Sequence, residues 1–577
     1  MFAILRPDYH MNTSRPVKLS QKAQNELFEQ VIIETLAHDS PTRALLATTA
    51  RKLLKGTGVQ FPTLYHYWTM YHKLVKEERI QASESFEKSL RVKDIRTDSG
   101  VAPITVLTKP YPCPGKCVYC PTETRMPKSY ISSEPAAARA LSLKFDPYQQ
   151  VWQRVTTLEH NGHEAKKIEL IIKGGTWSSY RWDYRKWFIK RCFDAANHLG
   201  QVKKTRYGSL AASQKANETA EYRIIGLTIE TRPDWVTAKD LIRLRELGCT
   251  RVELGVQTLQ NDVLDITNRG HHIDATIRAN ALLRMMGFKT DFHVLPGQPG
   301  STPAKDIEDM RTLFNDQRYC PDMIKLYPCV VLPLAELHEW AKDGRFTPLE
   351  GDELKETLIT MQTLIPRYCR VSRLIRDFPE NDISYGNKVT NLRTVIEDEM
   401  KARGLSCECL RCREVGHVAG IDPSNVTTQV FEQRFDSAAG TEIFLTVEDT
   451  ERRAVFAFLR LRLPPTLKTL LSHPDYSEDK RLAKEAHELV SAFPIIEHTA
   501  FVRELHTYGT ALNLTQDNKD ASQHRGYGRL LMQKAEEISK DEGYEHISVI
   551  SGIGVREYYK MLGYEERESY MVKTLKK

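Results

Sequence analysis

The chain has 577 residues, 41% hydrophobic, 27% charged and 9% aromatic, with a formal net charge of +7. That composition excludes a mostly disordered, collagen-like or coiled-coil chain and predicts two or three domains. No run of about 18 apolar residues occurs and no apolar leader opens the chain, so no membrane partner and a cytoplasmic location are expected.

Residues 1–95 read as a helical segment. SQKAQNELFEQVIIETLAH (20–38) and TLYHYWTMYHKLVKEER (63–79) space apolar residues three and four apart, with Ser20 and Thr63 as N-caps. The segment is rich in Lys, Arg, Tyr and His. It reads either as a small helical domain with a solvated basic face or as a nucleic-acid-binding module.

From about residue 98 a strand–helix rhythm begins. Strands are expected at 101–108, 167–173, 222–231, 250–257, 288–295 and 322–328, with helices such as 234–247 and 272–286 between them. Repeated βα units predict an α/β architecture, a parallel sheet forming most of a TIM-like barrel. Residues two apart share a face of a strand. Ile168, Leu170, Ile172, Val252, Leu254, Val256, Ile324 and Leu326 fall on one face. Lys167, Glu169, Lys173, Thr228, Glu230, Arg251, Glu253, Gln257, Asp291, His293, Lys325 and Tyr327 fall on the other. With helices over the apolar face, the polar set lines the lumen. Unpaired burial of so many charges is costly, so a wet, ligand-filled lumen is expected. The reversed register would put the charges under the helices.

The polar stretch 207–221 is expected as a loop over the barrel mouth. Residues 330–400 read as mostly helical and close a domain that spans 96–400, and 401–427 reads as a linker. Residues 428–577 read as an α+β domain. TEIFLTVED and RRAVFAFLRLRL suggest a hairpin, TAFVRELHTYG a strand, and RGYGRLLMQKAEEISKDEG an amphipathic helix. HISVISG, REYYKMLGY and ESYMVKTL follow as strand, short helix and strand.

Six of the eleven cysteines form two tight runs, Cys113, Cys117, Cys120 and Cys407, Cys409, Cys412. Such clusters without a secretory signal read as metal sites. Cys192, Cys249, Cys320, Cys329 and Cys369 are expected as buried thiols. The first run, in YPCPGKCVYCPT, is C-x3-C-x2-C directly after a strand and resembles the radical-SAM superfamily. The resemblance implies a 4Fe-4S cluster on three thiolates whose open iron binds S-adenosylmethionine and cleaves it to a 5′-deoxyadenosyl radical. A zinc site would want a fourth Cys or His nearby, and none lies elsewhere between 80 and 159. Lys173-Gly174-Gly175-Thr176 resembles the superfamily's Gly-Gly-Glu segment at the methionine end of that cofactor, with Thr176 in place of the acid. Glu230 and Gln257, at strand C-terminal ends where barrel ligands bind, are further cofactor-binding candidates.

Gln523-His524-Arg525-Gly526-Tyr527-Gly528 opens a helix after a strand. Closely spaced glycines let successive N–H groups face an anion, and the pyrophosphate of coenzyme A suits such a cradle. The Q-x-x-G-x-G string with its strand, helix and strand resembles the GNAT acetyltransferase fold. Tyr558-Tyr559 falls where that fold keeps a tyrosine near the thioester sulfur.

KCVYCP, KGGT, GLTIETRPD, CTRVELGVQT, TNRGH, KLYP, RCREVG, VRELH, QHRGYG, YYKMLGY and YMVKTLK cover nearly the whole chain after residue 95. By these strings the chain is identified as a member of the Elongator catalytic-subunit family, radical-SAM/GNAT tRNA carboxymethyluridine synthases. The three residues between its first two cysteines resemble the bacterial and archaeal form; the eukaryotic form carries a longer insertion. The resemblance implies an acyltransferase in which the radical takes a methyl hydrogen from acetyl-CoA. The acetyl carbon radical adds to C5 of the wobble uridine in a tRNA anticodon stem-loop, and thioester hydrolysis leaves 5-carboxymethyluridine.

The resemblance further implies acetyl-CoA contacts at Lys167, Glu504, Leu505, His506, Thr507, Tyr527, Gly528, Arg529 and Tyr559, with Gln523, Arg525 and Gly526 in the phosphate cradle. Lys167, His506, Tyr558 and Tyr559 are the candidate catalytic residues, and Thr507 stands where Val is commoner. The second cysteine run resembles the family's zinc site between the two halves. Its fourth ligand is open among His417, His498 and His506, and unligated thiols are the alternative. Residues 1–95 become a tRNA-binding region. Residues 181–206, with Arg181, Arg185, Lys186, Lys190, Arg191, Lys203, Lys204 and Arg206 among Trp182, Tyr184 and Trp187, read either as an RNA surface or as an exposed helix with a buried aromatic stripe. The protein partners left open are a second copy of the chain and, in eukaryotes, accessory Elongator-type subunits. A protein-lysine acetyltransferase with a structural iron–sulfur cluster is the alternative function.

Overall fold

The computed structural model describes residues 20–90, 100–422, 425–508 and 526–575. They fall into two compact units, Met1–Arg96 with Thr156–Glu164, and Thr97–Val155 with Ala165–Lys577. The first unit holds helices Gln21–Leu36, Arg43–Leu54, Leu64–Lys76 and Glu84–Leu90. The hydroxyls of Ser20, Thr42 and Thr63 accept from the N–H groups of Ala23, Leu45 and His66 and satisfy otherwise orphaned donors. Phe28, Val31, Ile32, Leu46, Tyr71, Leu74 and Phe86 form its core. The expected helices at 20–38 and 63–79 are present. Arg43–Leu54 and Glu84–Leu90 are additions to that reading.

In the second unit, β1 (Ala102–Leu107), β2 (Lys167–Lys173), β3 (Arg223–Thr231), β4 (Arg251–Gln257), β5 (Lys289–Val294), β6 (Met323–Leu326) and β7 (Arg370–Arg373) pair in chain order. Every pair is parallel, so the sheet is an open half-barrel. Helices such as Trp182–His198, Ala238–Glu246, Ile273–Met285 and Pro303–Asn315 connect the strands. Ile168, Leu170, Ile172, Val252, Leu254, Val256, Ile324 and Leu326 are buried. The seventh strand corrects the expectation of a mostly helical 330–400. Its four residues, RVSR, carry no apolar run and become a strand by pairing with β6.

Residues 207–221 also differ from expectation. They form helix Leu210–Asn217, and because it precedes β3 it lies at the N-terminal ends of the strands, away from the mouth. The small polar side chains that suggested a loop are structural. Asn217 donates to Asn197 Oδ1 (2.7 Å) and accepts from Ile224 N–H (2.8 Å), while Ser213 donates to Asp194 (2.8 Å).

A second seven-stranded sheet follows the order β13-β14-β12-β11-β10-β9-β8. Its strands are β8 (Thr428–Ser437), β9 (Gly440–Asp449), β10 (Val455–Leu463), β11 (Thr499–Thr507), β12 (His546–Val549), β13 (Glu565–Arg567) and β14 (Tyr570–Thr574). Neighbours are antiparallel except β11 and β12, which pair in parallel over Thr499–Val502 alone. Beyond Val502 the two strands part, leaving one edge of residues 503–507 free of β12.

This mixed sheet packs on the N-terminal ends of the barrel strands. Asp322, just before β6, accepts from Arg503 at 2.7 and 2.6 Å and from Arg284 at 3.1 Å. Glu442 on β9 accepts from Arg503 (2.7 Å), Arg462 (3.0 Å) and Arg284 (3.3 Å). All five side chains are buried. A Cβ on Gly552 would overlap the backbone of Ile225, and one on Gly554 would crowd Arg223. Glycine is therefore needed where this turn meets the start of β3. No helix among the described residues is long and apolar enough to cross a membrane.

Candidate active site

The loop after β1 carries the first cysteine run to the C-terminal ends of the strands, where barrel ligands bind. Cys113 Sγ lies 3.5 Å from Thr176 Oγ1, past the end of β2, and accepts from Gly115 N–H at 3.4 Å. Arg269 Nη1 reaches Cys117 Sγ at 3.5 Å. The hydrogen bond from Cys120 and then the Arg269 charge overcome burial and pull the Cys117 thiol down to about 4. Gly174 and Gly175 take φ of +137° and +70°, and a Cβ on Gly174 would overlap Thr108 Oγ1. This Lys-Gly-Gly-Thr turn thus folds back against the end of β1 and beside Cys113.

The polar faces of the strands do converge in the lumen, but they compensate one another instead of awaiting a ligand. Glu253 accepts from Lys173, from Lys325 and from His293 Nε2 (3.0 Å). Glu230 pairs with Lys173 (3.2 Å) and accepts from Tyr130 (2.9 Å). Towards the base, Glu169 accepts from Arg251 (3.0 Å) and Thr228 (2.7 Å), and Glu504 of β11 bridges Lys289 (3.3 Å) and Arg460 (2.9 Å). Paired charges therefore run from mouth to base, which removes the cost of burying them singly. Burial pushes Lys325 down to about 8 against the pull of Glu253. It also lowers His293, which Lys325 lowers further. Gln257 ends β4 at φ +77°, an uncommon left-handed conformation for a non-glycine, and its carbonyl accepts from Leu295 N–H (2.8 Å). Arg269, Tyr130 and Arg232, whose Nη1 lies against Gly115, are residues at this mouth that sequence reasoning had not singled out.

In the mixed sheet, Gly526 (φ +74°) enters helix Tyr527–Asp541 with no side chain to cap it. Gly528 sits under three expected site residues: a Cβ there would lie 3.0 Å from Tyr558 Oη, 3.8 Å from Thr507 Cγ2 and 3.9 Å from Leu505 Cδ2. Tyr559 is buried, its ring 5.3 Å from that of Tyr558. Glu504 points to the barrel; burial would raise its pKa, but Lys289 and Arg460 hold it down at about 2. His506 packs beside Tyr508 (ring centroids 4.6 Å), and its buried Nε2 has no hydrogen-bond partner among the described residues. Burial lowers its pKa against the opposing pull of Glu414 and Glu504. Arg529 is exposed. Lys167 starts β2, at the base, a strand's length from Gly174. Gln523 and Arg525 lie outside the described residues.

Cys407, Cys409 and Cys412 bring their sulfurs within 4.8 Å of one another, with Cys409 and Cys412 3.6 Å apart. Tetrahedral zinc with Zn–S bonds of about 2.3 Å places its sulfurs about 3.8 Å apart, so this spacing suits one ion. None of His417, His498 and His506 joins the group. The other five cysteines are buried. On helix Trp182–His198, Arg185 is buried against Asp240 (2.6 Å), and Lys190 and Arg191 rest on Asp194 (2.9 and 3.2 Å). Those three charges serve the fold, while Lys203, Lys204 and Arg206 are exposed.

A parallel half-barrel with three cysteines on its first loop beside a Gly-Gly turn defines a radical-SAM protein. The Radical SAM superfamily model matches residues 111–313 and the Radical_SAM C-terminal domain matches 321–402. Membership implies a 4Fe-4S cluster and S-adenosylmethionine, and the thiol set and glycine turn fit both. The "tRNA uridine(34) acetyltransferase" of Methanocaldococcus infernus is 42% identical over 497 residues, 84% of this chain and 88% of the relative. The human "Elongator complex protein 3" is 35% identical, over 84% of this chain and 86% of its own length. The solved structure of Methanocaldococcus infernus Elp3 with an N-terminal deletion (1-46) matches at TM-score 0.68 and 38% identity, covering 82% of this chain and 99% of that one. The chain belongs to this family of tRNA uridine(34) acetyltransferases and Elongator complex protein 3.

Proposed function

We propose that the chain is a tRNA-modifying radical-SAM acyltransferase that converts the wobble uridine to 5-carboxymethyluridine with acetyl-CoA as the carbon donor. The observation that carries the reading is the lumen, whose paired charges link a cysteine-lined mouth to a base closed by the mixed sheet. A lysine acetyltransferase with a structural cluster needs no such connection. The relatives' names support tRNA uridine(34) as the target.

Cys113, Cys117 and Cys120 would hold the cluster, and the Gly174–Thr176 turn would receive the methionine end of the cofactor. When bound, the pair supplies one-electron cleavage and a carbon-centred radical. Glu230 and Gln257 line the same mouth. The mixed sheet acts as a GNAT-like domain, residues 428–577. The parting of β11 from β12 after Val502 leaves an edge along Glu504 to Thr507 that β12 does not cover, where an acyl-CoA arm would lie. The uncapped helix start at Gly526, Tyr527 and Gly528 offers N–H groups to its pyrophosphate, with Gln523, Arg525 and Arg529 adjoining in sequence. Tyr558 and Tyr559 stand at the thioester end, Lys167 steadies the acyl group from the barrel side, and His506, whose buried Nε2 has no partner among the described residues, takes the proton of the hydrolytic water. Residues 1–95 and the exposed Lys203, Lys204 and Arg206 serve as tRNA contacts.

Residues 401–427 serve as a zinc-binding bridge. Leu410 N–H donates to the Cys369 carbonyl (2.8 Å) and Val455 N–H to that of Arg413 (2.6 Å), so the segment is fixed to both sheets. Purified protein is expected to carry about one zinc per chain, and Cys409→Ser to lose it; elemental analysis decides between zinc and unligated thiols.

Anaerobic reconstitution with tRNA, S-adenosylmethionine and acetyl-CoA, followed by mass spectrometry of digested nucleosides, tests the function. The wild type should yield 5-carboxymethyluridine, and Tyr559→Phe should lose it. Strong lysine acetylation by a cluster-free variant, with no modified uridine from the wild type, would overturn the reading.

A further inference from the structure

Four aromatic rings line up beside the cysteine loop, and the proposed chemistry uses none of them. Tyr111, two residues before Cys113, stacks on Tyr180 with centroids 4.7 Å apart and planes 28° apart. Tyr180 stacks on Tyr184 (5.3 Å, 21°), and Tyr184 leans on Trp187 (5.7 Å, 34°). The middle of this wall is fixed. Tyr180 is buried, with its hydroxyl 2.8 Å from both the Lys109 carbonyl and Thr108 Oγ1. The Tyr184 hydroxyl accepts from Lys109 N–H at 3.2 Å.

The ends of the wall are open: Tyr111 is 37% and Trp187 45% exposed. A purely structural stripe would turn inward, as Phe188 and Phe193 do on the same helix. Lys109 holds its Nζ 5.0 Å over the Tyr184 ring, Arg181 follows Tyr180 in sequence, and Lys116 lies between Cys113 and Cys117 on the cysteine loop. All three are exposed, and none pairs with an acid among the described residues.

Resting on the tRNA reading above, we propose that this wall is a stacking platform for unpaired bases of an RNA loop, with Lys109, Lys116 and Arg181 on its phosphates. Exposed ring faces accept any unstacked base, whereas a duplex hides its base faces. Rings already held in place lose little freedom on binding. The wall stands past the ends of β1 and β2, beside Cys113, so it holds nucleotides next to the one that enters the lumen. An acidic electron-donor protein would also meet the basic rim, but it has no need of stacked ring faces.

The test uses the full-length protein, an anticodon stem-loop RNA and a fully paired RNA of the same length, with affinities measured by fluorescence anisotropy over a range of salt. Trp187→Ala and Tyr111→Ala should each weaken stem-loop binding about tenfold and leave the paired RNA unaffected. The slope of log affinity against log salt should stay as in the wild type, because the phosphate contacts remain. Trp187→Phe and Tyr111→Phe should restore most of the affinity, and Trp187→Ala should still cleave S-adenosylmethionine without RNA. Unchanged stem-loop binding by the alanine variants would overturn the platform, as would equal loss for both RNAs. A defect confined to reduction by an acidic flavodoxin-type donor would do the same and mark a protein-docking face. If the wild type binds neither RNA, the tRNA reading itself fails and the platform falls with it.

Discussion

Serine at Cys113, Cys117 or Cys120 is expected to abolish cluster-dependent visible absorption and to reduce S-adenosylmethionine cleavage to background. A hydroxyl is a hard, weakly acidic donor, whereas iron–sulfur clusters select thiolate. If the three thiols are the cluster's protein ligands, as proposed, one loss would leave two iron corners open. The damage should stay local. The Cys113 and Cys117 side chains touch Thr176, Gly115 and Arg269, all at the mouth and away from the mixed sheet. The triple variant should remain folded and bind acetyl-CoA while forming no carboxymethyluridine. Absorption spectra and the yield of 5′-deoxyadenosine read the two effects separately; a variant with full cleavage would sink the radical-SAM assignment.

Asp322→Ala should be the most damaging single change for stability, at about 3–5 kcal/mol. It leaves Arg503 and Arg284 buried at the base with Glu442 as the one carboxylate both still reach. Burial by itself would raise the Asp322 pKa, but Arg284, Arg503 and Arg460 hold it well below the usual carboxylate range. A carboxyl depressed in the folded state stabilises fully above its unfolded pKa, near 3.9, and loses that contribution as the pH falls further. The stability gap between wild type and Asp322→Ala should therefore be widest near neutrality and shrink below about pH 4. Chemical denaturation across that range checks both the size and the sign.

The parts of the molecule written locally were legible. The spacing of Cys113, Cys117 and Cys120 lies within one loop, and the alternation of β2 to β6 shows which side chains face inward. Partners distant in sequence were not. Arg269 reaches Cys117 from 152 positions away, through the closure of the sheet. Likewise, alternation places Lys173, Lys325 and His293 on one face but cannot show that all three meet Glu253. Residues 207–221 misled because Ser213 and Asn217 look like loop residues, yet their hydrogen bonds pin a helix to its neighbour. β7 is too short and polar to announce itself without β6 beside it. The convergence of Leu505, Thr507, Gly528 and Tyr558 was anticipated from family strings alone; no periodicity pointed to it.

The buried Asp322 and Glu442 pairs fix the mixed sheet to the base of the half-barrel, so a cofactor at the cysteine loop would enter from the mouth. A small cofactor seated at Gly174 and Gly175, as proposed, would lie beneath anything that spans the rings from Tyr111 to Trp187. On the proposed reading loading would be sequential, the cofactor entering first and the polymer closing over it. Spent fragments would be trapped until the polymer lifted away. A polymer that arrived early would block the doorway of an empty enzyme, so excess RNA would act as a brake on its own modification. The order of turnover would then follow from the layout of the chamber.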